Sequence, residues 1–215
     1  MLIGHYAPAL VLKVWRPQTP LWALCLAAQA VDILWCVLVL SGVERAQLVA
    51  GHTASNDLVL EFMPYSHSLV AAGVWGVLLA LLAARVLPVG AALPVGLGVA
   101  SHWLMDLPVH AQDLPLAAGD GIKLGFGLWH WRWPAFALEL GLFVGASWWL
   151  RRSLPKPQGR FDTWLLMLAL LCAYSYFAPS PPTIVQLSLS TLTLYLVVPA
   201  AAWWAERRIW AQQAV

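Results

Sequence analysis

The sequence is poor in charged side chains. Asp, Glu, Lys and Arg make up only 10% of its 215 residues, whereas soluble domains carry about 25%. Hydrophobic residues account for 61% of the chain. This composition excludes an ordinary water-soluble domain and predicts an integral membrane protein in contact with the lipid bilayer. The net charge of +2 is too small to suggest nucleic acid as a partner.

Cysteine is also scarce. Cys25, Cys36 and Cys172 all lie in apolar segments and show no CxxC spacing. This excludes a disulfide framework and favours a packing role for the three thiols. A cleavable signal peptide is not expected either, because Lys13 and Arg16 follow the first apolar stretch instead of preceding it.

The long apolar runs predict an all-α fold, a polytopic membrane helical bundle. A crossing needs about 20 residues, so the apolar segment 1–15 is too short and is expected to form a re-entrant or interfacial helix. Six transmembrane spans are predicted, at 21–43, 67–84, 93–109, 133–150, 164–178 and 183–204. The chain contains no internal repeat or low-complexity linker, so residues 1–215 should form a single integral membrane domain.

The distribution of Lys and Arg predicts the orientation of these spans, since short cytoplasmic loops are enriched in both. One side of the membrane would collect nine basic residues: Lys13, Arg16, Arg85, Arg151, Arg152, Lys156, Arg160, Arg207 and Arg208. The other side would collect three: Arg45, Lys123 and Arg132. We therefore expect a multi-pass protein of a bacterial inner membrane, with cytoplasmic termini and its polar site facing the periplasm.

The polar site is predicted from His102 and Asp106, which stand four residues apart in an apolar segment. At that spacing both side chains leave one face of a helix. His110 continues the same stripe by one more turn. Ionisable groups at membrane depth are unfavourable unless they pair, bind a ligand or line a wet cavity. Four candidate metal ligands, Asp32, His67, His102 and Asp106, are expected at similar depth, and His5 and His110 are further candidates.

Histidine nitrogen and carboxylate oxygen suit Zn²⁺, with Mn²⁺ or Fe²⁺ as neighbours in ligand preference. One or two ions are expected. In a two-metal site a carboxylate such as Asp106 or Asp32 would bridge the ions, which would activate a water and clamp a phosphoester or similar substrate. Glu61 and Asp113 are the candidate proton carriers.

Other functions fit the same residues. His102 and Asp106 could form a structural hydrogen-bonded pair between helices, and Asp32 could neutralise a neighbouring histidine. The cluster could also be the transit site of a metal-ion or proton transporter. A haem or quinone protein would use His67 and His102 as axial ligands. Glu139 could pair with Arg132 on the same helix face.

At these residues the sequence resembles the LexA-regulated, membrane-bound, metal-dependent hydrolases of bacterial inner membranes, a family distantly related to zinc-dependent phospholipase C. The family pattern is an early histidine, an aspartate in the first helix, a His-Ser pair opening a later helix, and His-x-x-x-Asp. Here it falls on His5, Asp32, His67-Ser68 and His102 with Asp106.

The resemblance implies two metal positions. Asp32, His67, His102 and Asp106 would hold one ion, and Asp106 with His5 a second. The chain lacks the basic His-Arg that often precedes the His-Ser pair, and it has no His-x-x-x-Glu for the third metal of the soluble relatives. The function expected is hydrolysis of a phosphoester or related bond in a lipid-like or periplasmic substrate. The oligomeric state stays open.

Overall fold

The computed structural model describes residues 1–88, 90–119, 121–154 and 159–211. Seven α-helices run through these residues: α1 Tyr6–Trp15, α2 Leu21–Leu40, α3 Leu69–Val86, α4 Ala92–Asp106, α5 Arg132–Ser153, α6 Gly159–Phe177 and α7 Ile184–Ala211. The helical class is confirmed, and each helix lies on one of the predicted apolar segments. Of the basic residues used to predict orientation, Lys156 and the side chain of Arg208 lie outside the described residues.

Within the described ranges, three helices are long and apolar enough to cross a membrane: Leu21–Leu40, Leu69–Val86 and Ile184–Arg207. Helix α3 exposes a continuous apolar surface, with Val77 and Leu81 each 61% exposed. Such a surface is expected where a helix faces lipid instead of water. Helix α4 has only 15 residues, and it packs against α2 and α3 inside the bundle.

Two of the connections between helices contain β-hairpins, one between α2 and α3 and one between α4 and α5. Strand β1, Arg45–Leu48, pairs antiparallel with β2, Leu58–Phe62. A shorter pair joins β3, Leu114–Pro115, to β4, Lys123–Leu124. In β2 the side chains alternate as in any strand, so Leu60 is buried and Glu61 is exposed.

The first helix lies inside the bundle, where it packs against α5 and α2. Tyr6, Ala9 and Leu10 are fully buried, so much of α1 is covered by the rest of the bundle. Lys13, one of the basic residues used to predict orientation, is also buried. Its ammonium group forms an ion pair with Glu206 of α7 and donates to the carbonyl oxygen of Thr19 at 2.8 Å.

Glycine allows α3 and α4 to approach closely. A Cβ added to Gly76 would lie 3.0 Å from the carbonyl oxygen of Gly96, and a Cβ on Gly96 would lie 2.9 Å from that of Gly76. Small residues at such positions let helix backbones approach in membrane proteins. A Cβ added to Gly73, one turn earlier on α3, would have open space around it.

We predict that Gly76→Val destabilises the protein by about 1–3 kcal/mol, because the valine would be pressed against backbone that cannot rotate away. Gly73→Val is the matched control and should be neutral or slightly stabilising. Thermal melting of both variants in detergent, followed by circular dichroism, measures the difference. Equal melting temperatures would show that the close approach is not needed.

Candidate metal centre

All six candidate metal ligands meet at one end of the helical bundle. His5 immediately precedes α1, Asp32 lies in α2, and His67 lies just before α3. The last turn of α4 carries His102 and Asp106, and His110 follows one turn later. Five of the six are buried, and His102 has no exposed surface. Asp32 is half-buried.

Four ligand atoms surround a first position. The Nε2 atom of His67 lies 3.2 Å from Oδ1 of Asp32 and 3.9 Å from Oδ2 of Asp106. The Nε2 atom of His102 lies 3.4 Å and 3.2 Å from the same two oxygens. In a tetrahedral zinc site with bonds of about 2.0–2.2 Å, ligand atoms stand about 3.3–3.5 Å apart. Three of the four distances lie near this range, and the distance from His67 to Asp106 is longer.

The other oxygen of Asp106 faces a second position. Its Oδ1 atom lies 3.1 Å from Nε2 of His5 and 3.5 Å from Nε2 of His110. The amino nitrogen of Met1 is 2.5 Å from the same oxygen. Asp106 thus directs each carboxylate oxygen at a different pair of imidazoles, which is the arrangement of a bridging ligand.

Two groups of three side chains satisfy the spacing of a metal site independently. The ligand atoms of His5, His102 and Asp106 lie within 4.8 Å of one another, and so do those of Asp32, His67 and His102. Both groups could hold a metal ion. His102 belongs to each of them, so the two positions are adjacent.

In two of the imidazole rings, a hydrogen bond fixes the proton on Nδ1, the nitrogen that points away from the centre. The Nδ1 atom of His102 lies 2.8 Å from the carbonyl oxygen of Ala28, and Nδ1 of His110 lies 2.9 Å from Oδ1 of Asp113. A carbonyl and a carboxylate only accept hydrogen bonds, so each Nδ1 donates. In the neutral ring, Nε2 then presents its lone pair to the centre.

His67 is held in the same way by a longer chain of hydrogen bonds. The Ser66 hydroxyl donates to Oε2 of the buried Glu44 at 2.5 Å. Its oxygen is therefore left to accept from Nδ1 of His67 at 2.8 Å. Glu44 is itself fixed by the backbone N–H groups of Tyr65 and Ser66. Outer partners of this kind orient metal-binding histidines in known sites.

Several atoms at the centre have no hydrogen-bond partner within the described part of the chain. They are Nε2 of His5, Nε2 of His102 and Oδ2 of Asp106. Imidazole lone pairs that face carboxylate oxygens in a buried site repel them unless a cation lies between. The donor set could therefore hold a divalent metal ion, and an ion pair between a protonated His102 and Asp106 is the structural alternative.

The ring geometry argues against the haem alternative. His5 stacks on His102 with ring centroids 3.7 Å apart, and His67 meets His102 edge-on at 78°. Axial ligands of a haem lie on opposite faces of the macrocycle. The Nε2 atoms of His67 and His102 instead approach the same oxygen of Asp32, which leaves no plane for a porphyrin between them.

The two predicted proton carriers are placed differently from the expectation. Glu61 is exposed on β2, and its carboxylate accepts from Nε2 of Gln47 at 2.8 Å. Strand alternation turns this side chain away from the bundle, so its predicted catalytic role is not supported. Asp113 does reach the centre, but its carboxylate holds the Nδ1 proton of His110. Asp113 therefore orients the ring of His110, a candidate metal ligand.

A pair between Glu139 and Arg132 was one alternative from the sequence, and the structure gives the two side chains other partners. Arg132 donates to the carbonyl oxygen of Ala54. Oε1 of the buried Glu139 instead accepts three backbone N–H groups, from Leu2, Ile3 and Gly4 at 2.7, 2.5 and 2.9 Å. We call this contact the Glu139 clasp. It fixes the backbone immediately before His5 and so positions that imidazole.

Two further residues of the centre carried no sequence signal. Glu44 holds Ser66 and, through it, His67. Tyr195 of α7 donates its hydroxyl to Oδ2 of Asp32 at 2.5 Å. A single glutamate after an apolar run and a single tyrosine within one do not reveal their partners, which lie 22 and 163 residues away.

A cavity of about 410 Å³ adjoins the centre. Asp32, His67 and His110 line it, and much of the remaining wall comes from the β1–β2 hairpin, α6 and α7. A ligand in this space would contact these three candidate metal ligands, whereas His5, His102 and Asp106 do not line the cavity. The volume lies in the usual range of small-molecule sites, about 300–1,000 Å³.

No protein-family model, curated protein or solved structure matches the chain.

We predict that Ser66→Ala weakens zinc binding about 10- to 100-fold, because the link that holds Nδ1 of His67 is lost while all metal ligands remain. Ser101→Ala is the matched control. Ser101 is adjacent to His102, but its hydroxyl bonds to the carbonyl of Gly98 in its own helix. Competition with a chromogenic chelator measures both affinities. Equal loss in the two variants would contradict the role of Ser66.

Proposed function

We propose that this protein is a metal-dependent hydrolase of the bacterial inner membrane. Helices α2 to α7 would form six spans, and the centre would face the periplasm. The substrate would carry a phosphoester or related bond. The observation that carries this proposal is Asp106, whose two oxygens each face a separate pair of imidazoles next to a cavity. The resemblance to LexA-regulated hydrolases leads to the same activity.

His67, His102, Asp32 and Asp106 would hold the first metal, for which Zn²⁺ is the best match and Mn²⁺ an alternative. Asp106, His5 and His110 would hold the second. Three protein ligands leave a coordination position open, as in catalytic zinc sites. Bound metal in such a site polarises a phosphoryl oxygen and lowers the pKa of a water toward neutrality.

The residues of the chain have distinct tasks in this reaction. His102 is fully buried and belongs to the supporting part of the centre, whereas His110 and His67 reach the cavity where a substrate would lie. Asp113 and Ser66 keep those two rings oriented. The reaction adds water across the P–O bond of the ester and releases an alcohol and a phosphate.

The side chain of Asp32 is also held in a fixed orientation. Its Oδ1 atom faces His67 and His102, while Oδ2 accepts from Tyr195. The carboxylate is therefore held in one orientation from three sides. Pre-organised ligands of this kind avoid reorientation during the reaction.

We predict one or two zinc or manganese ions per purified chain, and hydrolysis of a phosphodiester such as bis-p-nitrophenyl phosphate. Asp106→Ala should lose all bound metal and all activity, because it removes the bridge between both positions. His110→Ala should retain one ion and lose activity. Mass spectrometry of metal content and the release of p-nitrophenol measure the two properties.

Glu61→Gln serves as the control and should retain both metal and activity, because Glu61 lies away from the centre. Full activity in Asp106→Ala would refute the hydrolase. Bound metal without hydrolysis of any phosphoester, together with metal flux in proteoliposomes, would favour the transporter.

A further inference from the structure

The cavity beside the candidate metal centre is polar at one end and largely apolar along its length. The candidate ligands lie at the inner end. Along the helices the wall is formed on α6 by Leu171, Tyr174, Ser175, Tyr176 and on α7 by Leu187, Ser190, Thr191, Leu194. A molecule that fills this space would place a charged group at the imidazoles and an apolar part between the two helices.

The cavity reaches the surface between α6 and α7. Tyr174 lines it and is 68% exposed. Ser190, on the facing helix, also lines it and is exposed. The surface around these two side chains is apolar, with Leu170 62% and Leu189 52% exposed. Helix α7 is long and apolar enough to cross a membrane, so this gap would open toward lipid.

Two connections between the main elements also contribute to the wall of the cavity. Asp57 of the β1–β2 hairpin and Ser180 of the α6–α7 connection both line it. The Ser180 hydroxyl and the N–H of Gly51 hold the pKa of Asp57 below its ordinary value, and the Gly51 bond measures 2.8 Å.

From this arrangement we infer that the substrate is a membrane lipid carrying a phosphate group, which enters sideways between α6 and α7. Its phosphate would reach His67 and His110, and its chains would lie along Leu171, Leu187 and Leu194. The inference rests on the proposed hydrolase and names the substrate class of the same site. The cavity is far larger than a catalytic water requires, since one water occupies about 30 Å³.

The test compares two tryptophan substitutions on α7. Ser190→Trp would fill the gap between the helices. Thr193→Trp is the matched control, because Thr193 is also an exposed hydroxyl residue on α7 and also bonds back to its own helix, but it does not line the cavity. Native mass spectrometry of the zinc-loaded chain in detergent would measure binding of phosphatidic acid.

We expect Ser190→Trp to bind phosphatidic acid at least about tenfold more weakly than wild type. A tenfold change in Kd corresponds to about 1.4 kcal/mol of binding free energy. Thr193→Trp should bind like wild type. Glycerol phosphate, which lacks the chains, should bind all three proteins alike. Ser190→Leu introduces a smaller side chain and should give an intermediate loss of affinity. This second variant is less prone to misfolding than Ser190→Trp.

The outcomes separate this inference from the proposed activity. Equal binding of phosphatidic acid by the Ser190 variants and the Thr193 variant would overturn the lateral route. Hydrolysis of soluble phosphodiesters by a wild type that binds no phosphatidic acid would overturn the lipid substrate and leave the hydrolase. Phosphatidic acid binding that Ser190→Trp weakens, without hydrolysis of any phosphoester, would support the lipid route and overturn the hydrolase.

Discussion

Negative charge buried in an apolar helical bundle dominates the structure of this protein. The carboxylates of Asp32 and Asp106 lie at one end of the bundle, and an isolated carboxylate there would be strongly unfavourable. Four imidazoles surround the two groups, and three of the rings carry their proton on the outer nitrogen, held by Ala28, Ser66 and Asp113. In the neutral rings, these hydrogen bonds leave the Nε2 lone pairs facing the two carboxylates.

The helices differ in how they support this centre. The glycine contact joins α3 and α4 into an antiparallel pair whose shared end carries His67, His102 and Asp106. Asp32 reaches the same end from α2, and His5 does so from the segment before α1. Because ligands from separate elements must meet, metal binding would be coupled to folding. The bundle and the centre would therefore stabilise each other.

Sequence predicted the helices well, because each apolar run has a length and a boundary that can be read directly. It also identified the six candidate ligands, since ionisable residues in apolar runs are few. It could not identify Glu44 or Tyr195, because a hydrogen bond between distant segments leaves no local pattern. Glu61 was a candidate proton carrier, and its place on a strand was not predicted. The alternation of β2 turns that side chain outward.

The ion pair of the buried Lys13 was also not predictable from the sequence. Lys13 follows an apolar stretch, which is the usual position of an interfacial lysine. The structure instead pairs it with Glu206, a residue nearly 200 positions later in the chain. Periodicity indicates which face of a helix is apolar, but it does not reveal a charged partner on another helix.

The Glu139 clasp has a consequence for sequence variation. Oε1 of Glu139 binds backbone N–H groups and makes no demand on the side chains of residues 2 and 3. Residue 4 is different, because a Cβ there would lie 2.5 Å from the sulfur of Met1 and 3.0 Å from Cγ of Glu139. A randomised library of this segment, selected for a folded centre, should therefore vary most at residue 2, keep a large apolar side chain at the fully buried position 3, and favour glycine at position 4.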